Sequence, residues 1–501
     1  MSAATLYDPQ PRRPAWGVRT PLRKELSTRA PILQAPAPSR VTIPLSGSVT
    51  GISARPIVVT GQQVRCGEPI AEPTADGHPY IHASISGRIA DIGLYPVAGS
   101  SGPIPCILIE HTGSDHAWGG YMAQTDAATL PAAEIRRQIA SAGIVGLGGA
   151  LFPTAAKLSS AGQAPLLLLN GAECEAYISC DDMLLRERAG RVVAGGRILC
   201  AALGAELCVI AIKTDMPEAD VALRDALDAA ADPRMVIATV TAKYPAGGER
   251  QLIELVFGLE VPAGGHPTDV GVICQNVGTA AAVADFFLAG RPLISRIVTI
   301  TGGGIAEPRN IDARIGTPIA DLVQLAGGYS GSPQHLIMGG PMMGIAVDDD
   351  AFPISAATNC VIAAMAGELG EASAEQACIR CGLCVEVCPA GLMPQELLSA
   401  VRRENTISMN SLGLSECIEC GACDYVCPSH IPLAWQFHAG KKLLNSTALS
   451  SLQASKARSR FEARIQRLAR EKSEQQQNPV DIAALDALLA RSRQRNTDET
   501  D

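Results

Sequence analysis

CIRCGLCVEVCP, from Cys378 to Pro389, and CIECGACDYVCP, from Cys417 to Pro428, repeat one spacing. In each, cysteines stand with gaps of two, two and three residues, and a proline follows the last. Thiolates are soft donors suited to iron–sulfur clusters. The short gaps let a curling backbone present three sulfurs to one centre while its amides hydrogen-bond to that centre. The proline turns the chain away so that the next helix can begin. Tetrahedral zinc usually draws on two pairs of ligands, often with histidine. Two complete four-cysteine runs do not suit it.

The spacing is that of the bacterial ferredoxin run, in which three cysteines hold one [4Fe–4S] cube and the fourth holds the other. Cluster one is expected to take Cys378, Cys381, Cys384 and Cys427. Cluster two is expected to take Cys417, Cys420, Cys423 and Cys388. The other eight of the 16 cysteines lack such spacing and read mostly as small buried hydrophobes. A long chain with no secretory signature at its start is a poor disulfide scaffold, so a reducing compartment is expected.

The composition around these runs sets bounds. The 501 residues predict two to four domains. With 47% hydrophobic but 4% aromatic residues, the cores must be built from Leu, Ile, Val and Ala. A net charge of −9 argues against nucleic acid as a partner. Long uncharged stretches such as Ile139–Ala156 and Ala351–Gly367 are interrupted by Gly, Pro, Ser or Asn, so no membrane span is expected and the chain reads as soluble or peripheral.

The pattern predicts a multidomain α/β chain. Residues 1–40 read as a basic, Pro-rich arm, flexible or docking on a partner or an anionic membrane surface. Residues 41–115 read as a β domain with Val64–Glu72 and Ile81–Ile92 paired. They resemble the lipoyl/biotinyl hammerhead, a barrel-sandwich-like fold. No lysine lies between Lys24 and Lys157, which excludes a carrier role. Residues 125–290 alternate strand and helix, the sign of a parallel sheet. Residues 291–350 suit a β-grasp module of the SLBB-like kind, and 365–440 the helical double-[4Fe–4S] ferredoxin domain. Residues 450–501 read as a basic helix, with Phe461, Ile465 and Leu468 on one face, and a tail disordered beyond Leu489.

Within the α/β region, Gly143–Lys157 reads GIVGLGGALFPTAAK. Gly146, Gly148 and Gly149 let backbone amides approach a phosphate, with Lys157 nearby for charge. The loop is neither a Walker loop nor G-x-G-x-x-G. Leu166–Asp182, LLLLNGAECEAYISCDD, follows. A buried strand there delivers Asn170, Glu173 and Glu175 at its carboxyl end, where ligands of open α/β sheets bind. A nucleotide or flavin crevice is expected.

These two segments resemble the flavin-binding subunit of respiratory complex I. The chain is more closely similar to the C subunit of Rnf-type ion-translocating ferredoxin:NAD oxidoreductases. The segments that carry this are WGVRTPLRKELS (Trp16–Ser27), YPAGGERQL (Tyr244–Leu252), VPAGGHPTDVGVICQNVGTA (Val261–Ala280), MGGPMMG (Met338–Gly344) and the double cysteine run. The resemblance implies that Gly146, Gly148, Gly149 and Lys157 hold the FMN phosphate and ribityl chain. Asn170 and Glu173 would contact the flavin, and Gly248, Glu249, Asn276 and Thr279 would complete its pocket. Phe152 would stack on nicotinamide or adenine, and Glu175 would lie near the nicotinamide ribose. Leu147, Leu151, Ala172, Ala176 and Gln275 depart from the complex I pattern.

The resemblance therefore implies an NAD-dependent oxidoreductase subunit with FMN and two [4Fe–4S] clusters. NADH would reduce the flavin, and single electrons would leave through the cubes. The chain would sit peripherally on the cytoplasmic side of the bacterial inner membrane, with membrane subunits of its complex and a ferredoxin-type carrier as partners. Its electron flow would be coupled to ion translocation by other subunits. The alternatives are a soluble corrinoid reductase of related architecture and a flavin-less electron-relay scaffold. No Ser/His/Asp arrangement or HExxH is present, so no side chain is expected to be catalytic by itself.

Overall fold

The structure, a computed structural model, describes residues 13–46, 53–75, 77–124, 126–160, 164–370, 373–477 and 482–497. At its centre a four-stranded parallel sheet runs in the order Met235–Val240, Leu207–Lys213, Leu166–Asn170, Val272–Asn276. Leu167 and Leu169 face one helical layer, and Leu166 and Leu168 face the other. That double burial is why the strand is apolar without alternation. The helix Cys180–Leu203 carries three glycines yet forms, because a Cβ at Gly195 would stand 1.7 Å from the Ala280 carbonyl oxygen. The close approach of helix Val277–Ala289 demands a residue with no side chain there.

The β domain is an antiparallel sheet, Arg40–Pro44, Ile104–His111, Gly87–Tyr95 and Gln63–Val64, facing a three-stranded one. Val41, Ile70, Ile85, Ile89, Ile107 and Ile109 are fully buried between them. The two segments expected to pair do so, with Val64 opposite Gly87 and Pro69 opposite His82.

The next module is larger than 291–350. Its six-stranded sheet places Cys360–Ala364 beside Ser295–Thr301, and an edge strand, Leu33–Gln34, comes from the N-terminal segment. The arm expected over 1–40 is therefore corrected for residues 13–40, which are packed rather than flexible; residues 1–12 lie outside the described residues. Lys24 and Ser27 are buried, and Asn310 Nδ2 donates to the Ser27 carbonyl oxygen at 3.0 Å. The compositional bias towards Arg and Pro hid contacts made only by distant chain.

Short helices Leu383–Glu386 and Ala422–Tyr425 each hold one cysteine of a run, and Pro394–Arg402 and Thr406–Ser411 lie between the runs. Their core, around Leu397, Met409, Leu414 and Phe437, is closed by the start of a helix running from Leu433 to Gln477. No break falls near 440–450, so the ferredoxin domain and the basic helix share one element. Its Phe461, Ile465 and Leu468 are exposed. A last helix, Ile482–Thr497, occupies part of the tail read as disordered beyond Leu489. Among the described residues no helix is long and apolar enough to cross a membrane.

Candidate functional site

The carboxyl ends of the parallel strands bring most of the expected residues together. Asn170 ends the strand Leu166–Asn170, and its Nδ2 donates to the Gly247 carbonyl oxygen at 2.9 Å. Asn276 ends the adjacent strand, caps the helix Val277–Ala289 through Gly278 N, and donates to Asp181 Oδ2 at 2.7 Å. Gly248 and Glu249 begin the helix Glu249–Phe257, where Glu249 Oε1 lies 2.5 Å from Lys157 Nζ. The glycine loop is held over this edge, with Leu147 N donating to Thr279 Oγ1 at 2.9 Å and Arg296 reaching the Leu147 carbonyl oxygen at 3.3 Å. Thr279 is completely buried, so it positions the loop and does not line an open pocket.

Glycine spacing in this loop is not explained by protein packing alone. A Cβ at Gly149 would meet nothing within 4 Å, and one at Gly148 would only touch Asn276 Cβ at 3.5 Å. Gly149 needs its φ of +106°, but Gly148 has room for a methyl group that the sequence does not use. Thr154 Oγ1, just after the loop, and Gln275 Nε2, just before Asn276, are buried without a protein hydrogen-bond partner. A bare backbone with unpaired polar atoms beside it fits a phosphorylated ligand lying along the loop. Phe152, half exposed, stands free to cover such a ligand.

The two glutamates separate from that group. Glu173 turns inward: Lys24 Nζ lies 3.3 Å from its Oε2, and Cys180 Sγ and Asp181 N donate to its Oε1 at 3.2 and 3.3 Å. Its side chain is 5% exposed and held in a buried ion pair with Lys24. Glu175 Oε2 accepts from Met342 N at 2.9 Å, and a Cβ on Gly340 would stand 2.0 Å from that oxygen. The MGGPMMG segment thus lies directly on Glu175. Burial raises the Glu175 carboxyl above its ordinary value, against the Met342 amide, which lowers it.

Several members of the site had no local signal in the sequence. Lys24 lies 149 residues from its partner. Asp181 is pushed up to about 7 by burial and the nearby Glu173 charge. Lys213, at the carboxyl end of the central strand Leu207–Lys213, has a side chain 1% exposed and pairs with Asp215 at 3.1 Å. Burial, and then the Lys24 charge, lower its pKa. Of these, Lys213 alone has a local signal, a lysine that directly closes an apolar run.

The cysteines form two groups. One cavity is lined by Cys378, Cys381, Cys384 and Cys427, and a second by Cys388, Cys417, Cys420 and Cys423. Each run therefore contributes its last cysteine to the other's cavity. The sulfurs of a tetrahedral zinc site lie about 3.8 Å apart, from a Zn–S bond of about 2.3 Å. Among the described residues no three of these sulfurs lie within 4.8 Å of one another. The donor sets are too wide for one zinc ion and suit a larger cluster.

Four family models match the chain: RnfC barrel sandwich hybrid domain over 14–114, Nuo51 FMN-binding domain over 139–285, SLBB domain over 297–346 and 4Fe-4S dicluster domain over 377–431. The chain thus joins a domain of the FMN-binding Nuo51 kind to one of the 4Fe-4S dicluster kind. Proteins named as the C subunit of the ion-translocating oxidoreductase complex are similar along most of the chain. The Pseudomonas aeruginosa protein is 45% identical over 91% of this chain and 58% of its own length. The Serratia proteamaculans protein is 39% identical over 96% and 69%, and that of Yersinia pestis 40% over 91% and 73%. The chain belongs to this family of RnfC proteins. It spans about three fifths of the length of the first two such relatives.

Proposed function

We propose that this chain is the NADH-oxidising, FMN-binding and iron–sulfur electron-transfer subunit of a membrane-bound ferredoxin:NAD oxidoreductase complex that couples electron flow to ion translocation. The observation that carries this is the pairing of a bare glycine loop at the sheet's carboxyl edge with two four-cysteine cavities in the same chain.

In this reading Gly146, Gly148 and Gly149 offer amides to the FMN phosphate and ribityl chain. Lys157, held by Glu249, supplies positive charge, and Asn170, Gly248 and Asn276 border the ring. Bound FMN supplies the conversion between a two-electron hydride donor and one-electron carriers. Phe152 covers the nicotinamide or adenine of NAD(H), and Glu175 fixes the ribose side of the pocket from beneath MGGPMMG. Glu173 acts through Lys24 and Asp181, shaping the floor of the site.

Cys378, Cys381, Cys384 and Cys427 would hold one [4Fe–4S] cluster and Cys388, Cys417, Cys420 and Cys423 a second, and such clusters would supply one-electron transfer. Family membership and the absence of a spanning helix among the described residues support a peripheral place beside membrane subunits of the same complex. We place it on the cytoplasmic side, passing electrons to a ferredoxin-type carrier directly or through a neighbouring subunit. The deciding experiment is purification of the full chain under anaerobic conditions. Yellow FMN that bleaches on addition of NADH supports the reading; flavin-free protein with intact clusters overturns it.

A further inference from the structure

One buried contact joins the nucleotide-binding domain to the second cysteine set. Tyr244 is 3% exposed, and its hydroxyl donates to the Cys420 carbonyl oxygen at 2.5 Å. Three residues on, Gly247 accepts from Asn170 at the sheet edge. A short loop therefore touches both the candidate flavin site and a cysteine ligand.

The N-terminal segment closes the same contact from the other side. Val18 and Tyr244 exchange backbone hydrogen bonds at 2.8 and 2.9 Å, and Gly17 N donates to the Val387 carbonyl oxygen at 3.0 Å. Val387 precedes Cys388, the first-run cysteine that joins the second set. The two chain segments that build this set are thus tied to the bridged pair of segments around Val18 and Tyr244. Gly17 is required there: its φ is +87°, and a Cβ would stand 2.4 Å from the Tyr244 carbonyl oxygen. Cys420 and Ala422 are buried with Val18 and Tyr244, and Cys174 and Met342 pack around them. Cys174 lies between Glu173 and Glu175. The other set turns outward, with Cys378 and Cys381 exposed and Ile379 69% exposed beside them.

We propose that Tyr244 and the Gly17–Val18 segment form a clasp that seats Cys388, Cys417, Cys420 and Cys423 against the nucleotide-binding domain. That set is the inner electron station, and Cys378, Cys381, Cys384 and Cys427 form the outer one, open to an electron-carrier partner. Tyr244 is a positioning residue, acting on the inner set through the Cys420 backbone. Electrons pass singly, one oxidation for each reduction, with no bond made or broken. The inference rests on the electron-transfer role proposed above.

The test uses the full cluster-loaded chain, poised with a chemical reductant so that NADH and flavin are bypassed, and followed by electron paramagnetic resonance. Cys420→Ser and Cys378→Ser assign the inner and outer signals. Tyr244→Phe should shift the midpoint potential of the inner signal and leave the outer one in place. It should also speed amide exchange around Val387 and Ala422 about two- to tenfold, the range of one lost hydrogen bond. Gly17→Ala should reproduce both effects without touching the phenol. The clasp is overturned if Tyr244→Phe moves neither signal, or moves the one that Cys378→Ser abolishes. If NADH fails to bleach the wild-type flavin, the functional reading fails alone, because the potentials still report on the clasp.

Discussion

Lys24 Nζ lies 3.3 Å from Glu173 Oε2 and also donates to the Glu173 carbonyl oxygen at 2.9 Å, with both side chains no more than 10% exposed. The pair fastens an N-terminal segment to the loop that follows the central strand.

Removing one partner should be costly, because the other charge stays buried. Lys24→Met is expected to lower stability by about 3–5 kcal/mol, read from the denaturant midpoint. Burial pulls the ammonium down, but Glu173, Asp215 and Asp182 outweigh it, so its pKa is raised above 10.5. A cation with a raised folded pKa stabilises fully below the unfolded value and loses that stabilisation as pH rises through the folded one. Wild-type stability should therefore fall above about pH 10.4, and Lys24→Met should lack this component. An unchanged alkaline profile refutes the assignment.

Two glycines make opposite predictions. Gly148→Ala has space for its methyl and should change stability by no more than about 0.5 kcal/mol, yet reduce FMN retention at least about tenfold, a loss of about 1.4 kcal/mol. Gly195→Ala drives a methyl into the Ala280 carbonyl oxygen and should cost about 1–3 kcal/mol. Thermal melts alongside flavin fluorescence separate the two. Full FMN retention in Gly148→Ala would remove the loop from the site.

Glu175 is the test of the ribose assignment. Burial raises its pKa, so the folded state disfavours the carboxylate form. That cost is absent below the ordinary value of 4.5 and grows as pH rises to the folded value. Glu175→Gln keeps an acceptor for the Met342 amide and should raise the melting temperature at pH 7. It should retain FMN but increase the KM for NADH. Unchanged NADH kinetics would show that Glu175 only anchors the MGGPMMG segment.

Ligand exchange between the runs is testable by deletion. Cys388→Ser should abolish the resonance that Cys417→Ser abolishes, although it lies in the first run. Iron should fall by about half, and NADH should still bleach the flavin. Loss of the signal assigned to Cys378 instead would contradict the cavity linings.

Regular spacing is what made parts of this protein legible. The x2, x2, x3 gaps set three cysteines of each run close together, and each of the two cavities is lined by three cysteines of one run and the last of the other. The strand Leu166–Asn170 was readable because burial on both faces leaves an unbroken apolar run. The edges of modules were not. Leu33–Gln34 pairs with Ile311–Asp312, nearly 280 residues away, and nothing in a dipeptide encodes that partner. The helix Leu433–Gln477 crosses the boundary placed at 440–450 because helix propensity continues after the packing contacts end.

By itself the sequence determined the cysteine sets, the parallel sheet and the glycine loop, all set by local spacing and periodicity. Only the tertiary structure decided that Glu173 faces Lys24, that Gly340 lies on Glu175, and that Tyr244 reaches Cys420. Those contacts depend on how separate modules pack, and burial converts each polar group into one that must find a partner.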